Sequence, residues 1–197
     1  MITLALMLLA GATAAPDADS TGLDVATCVV DNDLRDVRTL LKTVPGSASE
    51  GQATAKVLVY YGGCNDNKVM AGTFSWRERA EIAEAALVPM LGKAPDIAEA
   101  VARDGWALAM PASVKSPVDY DAANVGARMM GDCVVRANPQ GALALLRADR
   151  GSAAEANAIN GLSGNIAACL PAGQTLKLKR TDLRLIVAEP LYHVLSR

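Results

Sequence analysis

The hydrophobic positions of this chain fall into helical stripes. Val37, Leu40 and Leu41 are spaced for one helix face, and so are Ala142, Leu145 and Leu146. Trp76, Ala80, Ala83, Leu87 and Met90 form a second stripe, with Leu185, Ala188, Tyr192 and Leu195 as a similar one near the C-terminus. Start signals stand ahead of several stripes. Asp31-Asn32-Asp33 can cap a helix beginning at Leu34, and Asn138-Pro139 reads as an N-cap followed by a first-turn proline. Ser47 with Glu50, Ser152 with Glu155, and Ser75 with Glu78 fit the capping box, in which the serine takes the third amide and the glutamate reaches back to the serine amide. Gly46 and Gly151 read as helix ends, and Pro89 and Pro190 should kink or shorten the helices they interrupt. Helices leading into the first cysteine of each half are expected from about Asp24 and from Ala122. Only Thr175 to Lys179 alternates in the manner of a strand. It could pair with residues 70–74 across a pseudo-two-fold axis.

Sliding the chain over itself by 105 positions superimposes these signals. Cys28-Val29-Val30 meets Cys133-Val134-Val135, and Cys64 meets Cys169. Leu40-Leu41 meets Leu145-Leu146, Gly46-Ser47 meets Gly151-Ser152, and Glu50 meets Glu155. Arg79 meets Arg184, and Ala83-Glu84 meets Ala188-Glu189. The match runs without a gap from residue 28 to residue 92, with about one position in five identical. A tandem duplication explains this register, because chance does not align both cysteine pairs and a Gly-Ser-x-x-Glu block at one offset. The expected organisation is a leader over 1–14, a helical unit over 15–92, a connector with one helix (Asp96 to Met110) over 93–121, and a second unit over 122–197.

Composition supports a mainly α fold. Alanine supplies 37 of 197 residues, and the chain has one Phe and two Trp, which suits closely packed helices better than sheets. The N-terminus adds a compartment. Ile2 to Ala10 is an apolar run, Ala12-Thr13-Ala14 is an A-x-A site, and cleavage is expected after Ala14. The run is shorter than the roughly 20 residues a bilayer span needs. It also lacks the Lys or Arg usual ahead of it. The longest uncharged stretch, Ala156 to Leu176, carries Asn157, Asn160, Asn165 and Pro171, which argues against a later span.

Behind an export signal, four cysteines read as disulfides. Three connectivities exist. A duplicated unit favours Cys28–Cys64 and Cys133–Cys169, because the ancestral unit needed its own bridge.

The chain has few residues for catalysis or metal binding. The net charge of −2 gives no electrostatic case for nucleic acid or anionic lipid. His193 is the only histidine, so a conventional zinc site or a Cys-His dyad has no ligand set, and no metal or cofactor is expected. Its place near a helix C-terminus suits a dipole-stabilising surface residue. Asp31-Asn32-Asp33 fails the calcium-loop pattern, with Asp36 where that loop needs glycine and Lys42 where it needs glutamate. The most suggestive set is Arg79 and Glu84 with Arg184 and Glu189. Two glutamates at equivalent positions fit an acid/base pair, and they fit structural ion pairs between the units better.

Cys133-Val134-Val135-Arg136-Ala137-Asn138-Pro139 and Cys169-Leu170-Pro171-Ala172-Gly173 resemble a group of uncharacterised exported proteins of alphaproteobacteria that share C-V-V-R-x-x-P and C-L-P-x-G stretches. The resemblance covers the second unit well and the first loosely, where Asp31 and Leu34 replace the Arg and the Pro. It implies export, and it carries no activity or site residues with it.

Three expectations for function follow. The first is a non-enzymatic periplasmic or secreted helical module that binds a protein or envelope component, with a groove between the units lined by Trp76, Tyr60, Tyr61 and Tyr192. The second is an envelope enzyme using Glu84 and Glu189 as its catalytic carboxylates. The third is a purely structural or stress-related protein.

Overall fold

The computed structural model describes residues 20–45, 47–65, 74–92, 97–102, 122–170 and 179–196. The leader therefore lies outside the described residues, as do Gly46 and all of the 70–74 and 175–179 strand pairing except Phe74 and Lys179. Among the described residues the fold is helical. The first half holds α1 (Ser20–Asn32), α2 (Leu34–Leu41), α3 (Ala48–Cys64) and α4 (Trp76–Leu91). A short α5 (Ile97–Val101) follows, then α6 (Ala122–Ala137), α7 (Pro139–Arg147), α8 (Ala153–Cys169) and α9 (Arg180–Leu195). The bounds of α3 and α8 are 105 residues apart at both ends, and the other three pairs keep this offset to within a few residues.

Local chemistry sets the helix starts. Asp33 opens α2, its carboxylate accepting the Arg35 and Asp36 amides at 3.0 and 3.1 Å. The Asp36 amide contributes most to holding that carboxyl below its ordinary value. Asn138 opens α7 by accepting the Gly141 amide at 2.8 Å, with Pro139 in the first turn. Ser75 and Glu78 form the complete capping box of α4. At α3 and α8 only half of the box forms. Ser47 and Ser152 accept the Glu50 and Glu155 amides, but their own amides bond to Val44 and Asp149 carbonyls. The two glutamate side chains are engaged elsewhere.

Two expectations need correction. α7 ends at Arg147 and α2 at Leu41, ahead of the glycines. Gly151 instead takes φ 74° in the turn before α8, a left-handed conformation that suits glycine. Pro190 does not shorten α9, which continues to Leu195, and α4 runs past Pro89 to Leu91. The Ile186 carbonyl, which Pro190 cannot bond, faces Gly131 of α6, where an added Cβ would stand 1.9 Å from that oxygen. The connector helix spans Ile97–Val101 and Ala102 follows it as a turn, while Asp96 and residues 103–110 lie outside the described residues.

Each half is stapled. Cys28 bonds to Cys64 and Cys133 to Cys169, both with Cα atoms 5.8 Å apart. Each bridge ties the first helix of a half to the end of the third. Both bridges are chemistry of an oxidising compartment. No helix among the described residues is long and apolar enough to cross a membrane.

The core is continuous through both halves. Val29, Val37, Leu40, Ile82 and Leu87 from the first half and Val134, Leu145, Val187 and Leu191 from the second belong to one buried cluster. At its centre α4 packs on α9. Ala80 and Ile82 to Leu87 are buried in α4, and Leu183 to Tyr192 are buried in α9. α9, buried along Asp182 to Tyr192, carries apolar or paired residues around its circumference, while α4 leaves Val88 exposed.

Candidate functional site

Two polar features sit where the halves meet. One is a buried network of arginines and glutamates between α4 and α9, and the other is a cleft between α2, α4 and the end of α9.

Arg79 is fully buried, and each of its five N–H groups has an acceptor. Its Nε donates to Glu189 Oε1 of the other half at 2.7 Å. One terminal nitrogen donates to Glu50 Oε1 at 2.7 Å and to Thr43 Oγ1 at 3.1 Å. The other donates to the Thr43 and Leu41 carbonyls at 3.0 and 3.4 Å. Arg184 repeats this 105 residues on. Its Nε donates to Glu84 Oε1 at 3.0 Å, and its terminal nitrogens donate to Glu155 and to the Leu145, Leu146 and Ala148 carbonyls. Each arginine thus satisfies the exposed carbonyls at the end of its own second helix, a place where a cation is favoured. Each also holds the glutamate of its own third helix and the glutamate of the opposite half. This explains why Glu50 and Glu155 leave their serine amides.

The remaining lone pairs of the two central glutamates are served differently. Arg150 donates to Glu84 Oε2 at 2.7 Å. Arg128 stands 3.9 Å from Glu189 Oε2, and His193 Nε2 stands 3.7 Å from Glu189 Oε1. Four arginines and four glutamates therefore balance in charge. A further cross-half ion pair joins Arg77 of α4 to Asp182 of α9, residues that are equivalent under the 105-residue offset.

Burial alone would raise the Glu189 carboxyl. Arg79 first, then Arg128 and His193, outweigh burial and hold it at about 2. Arg79 shifts upward for the reciprocal reason, since Glu189 and Glu50 overcome its desolvation. A general acid or base works best near the ambient pH, so the shift of Glu189 runs opposite to that need. Glu84 and Glu189 are brought together with the arginines the sequence singled out, as two reciprocal ion pairs.

The cleft has a volume of about 420 Å³, within the range of ligand sites. Its apolar lining comes from Leu34, Met90, Tyr192 and Leu195, and its rim carries Arg38 and Lys42, both exposed. His193 lines the same cleft and is not a bare surface residue: its ring meets Tyr192 edge-on at 5.6 Å between centroids. Of the four aromatics expected in a groove, only Tyr192 lines this cleft. Burial raises its hydroxyl pKa, partly opposed by Arg38. Tyr61 is core, tilted against Phe74 at 5.2 Å, and burial with Glu78 and Glu81 pushes it up to about 12. Tyr60 is 38% exposed on α3, and Trp76 lies under the Arg77 guanidinium at 5.3 Å. Among the described residues no group of three or more His, Cys, Asp or Glu is placed to hold a metal ion.

Sequence reasoning missed Arg38 and Lys42, because nothing local marks an exposed cation as lining a cleft. It also read Glu50 and Glu155 as caps alone. Their recurrence at the same offset as Arg79/Arg184 and Glu84/Glu189 was the signal that all three positions belong to one network. Comparison with family models, curated proteins and solved structures gives no match for this chain.

Proposed function

We propose that this protein is exported, loses residues 1–14, and acts in the periplasm or outside the cell as a non-enzymatic helical module that binds a protein or envelope component through the cleft of α2, α4 and α9. The leader pattern, two disulfides and the resemblance to exported alphaproteobacterial proteins support the location. Tandem duplication of one stapled unit accounts for the shared helix bounds and the paired bridges.

The observation that carries the binding reading is the cleft itself, apolar inside and cationic at the rim, formed only where the two halves join. The alternative of a carboxylate enzyme loses support from Glu189, which is paired with Arg79 and held at about 2.

The test is photo-crosslinking in living cells. A photoreactive residue replaces Leu34 in the cleft, and a control replaces Val59, which is 74% exposed on α3. A discrete adduct at Leu34, absent at Val59 and lost on Arg38→Glu, is the expected result. Identical patterns at both positions, or none at Leu34, would count against binding through the cleft.

A further inference from the structure

Among the described residues the two halves differ in what lies over their second and fourth helices. In the second half, α5 packs on α7 and α9 and buries Ile97, Ala100 and Val101. In the first half the corresponding helices, α2 and α4, border the cleft. Side chains at equivalent positions follow this difference. Leu143 of α7 is 3% exposed, while Arg38, at the same place in α2, is exposed. Arg147 Nε donates to the Leu91 carbonyl at 2.9 Å, which anchors α7 to the end of α4. Its counterpart Lys42 has no ion pair among the described residues, and neither has Arg38.

We infer that the cleft receives a short amphipathic helix of a partner protein, with an apolar stripe flanked by acidic residues. This rests on the reading of the protein as a binding module and names the class of its partner. Three observations carry it. The protein already covers the equivalent helices with a helix, and that helix buries residues at i, i+3 and i+4, the spacing of a helix seated in a groove. The cleft interior of Leu34, Met90 and Leu195 suits such a stripe. Two rim cations without carboxylate partners among the described residues call for negative charge beside it, which gives selectivity and salt sensitivity.

The test uses the mature, disulfide-bonded protein and two synthetic peptides of about 15 residues, long enough for partial helicity. Both carry leucine at i, i+3, i+4 and i+7. One has glutamate at flanking positions and the other has lysine. Methyl NMR of Met90 and Leu34 reports occupancy of the cleft. The glutamate peptide should shift both methyls and the lysine peptide should not. Arg38→Glu with Lys42→Glu should weaken the first peptide roughly tenfold or more and confer binding of the second. Both sites are exposed, and the wild-type comparison of two peptides stands without the variant. Equal binding of the two peptides, or shifts confined to residues outside the cleft, would overturn the inference. So would dodecanoate shifting Met90 where the glutamate peptide does not, since the ligand would then be a single-chain carboxylate and the binding reading would survive. If no probe shifts Met90 and Leu34 also crosslinks to nothing in cells, both readings fall together.

Discussion

Arg79 and Glu189 are 110 residues apart in the chain and 2.7 Å apart in the fold. The pair Arg184 and Glu84 runs in the opposite direction between the same two helices. Each arginine also pairs within its own half, Arg79 with Glu50 and Arg184 with Glu155, and reaches across for its second carboxylate. Two buried ion pairs thereby join the halves beside the cleft at their junction.

Removing one partner from this clamp should be costly. Glu189→Gln leaves Arg79 and Arg128 short of a counter-charge inside the core, and a loss of about 3–5 kcal/mol is expected. Glu84→Gln should cost a similar amount through Arg184 and Arg150. Urea denaturation measures both. Losses below about 1 kcal/mol would place these charges in contact with water.

The same pair fixes the sign of a pH effect. Glu189 titrates at about 2 in the folded protein against an ordinary 4.5. A lowered carboxyl pKa contributes stability above its unfolded value and loses it as pH falls through the folded value. Wild-type stability should therefore decline between about pH 5 and pH 2 more steeply than that of Glu189→Gln. Parallel pH profiles for the two proteins would contradict this.

Much of the fold was legible in the chain because its determinants are local. Asp33, Asn138 and the Ser75–Glu78 box cap the helices they were expected to cap. The stripe of Val37, Leu40 and Leu41 is buried, as is that of Ala142, Leu145 and Leu146. What failed depends on neighbours distant in sequence. Pro190 stays inside α9 because the helix is buried on all sides and packing outweighs one lost bond. The destinations of Glu50 and Glu155 were set by arginines 29 residues later. Arg38 and Lys42 acquire meaning only once the end of α9 is folded against α2 and α4.

Two glycines should respond to alanine in opposite ways. Gly131→Ala drives a Cβ into the Ile186 backbone oxygen, so α6 must move off α9, at a cost of about 1–3 kcal/mol or more. Gly161, in the interior of α8, has nothing within 4 Å of an added Cβ. Its change to alanine should stabilise by roughly 0.5–1 kcal/mol through helix propensity. Thermal denaturation of the two variants side by side checks the pair of signs.

Each staple should contribute separately. The Cys28–Cys64 bridge joins residues 36 apart, and replacing both cysteines by serine should cost about 4 kcal/mol by the chain-entropy estimate. The Cys133–Cys169 bridge spans the same separation and should cost about the same. A large loss at one bridge and none at the other, read by urea denaturation, would show that only one half depends on its staple.

The claim that the protein is an exported pair of separately stapled helical units is tested most directly by non-reducing peptide mapping of protein recovered from the periplasm or medium. The account predicts a mature chain beginning at Ala15, with Cys28 joined to Cys64 and Cys133 joined to Cys169. An intact Met1 with four free thiols would contradict it, and would turn attention to the cysteines as reactive groups.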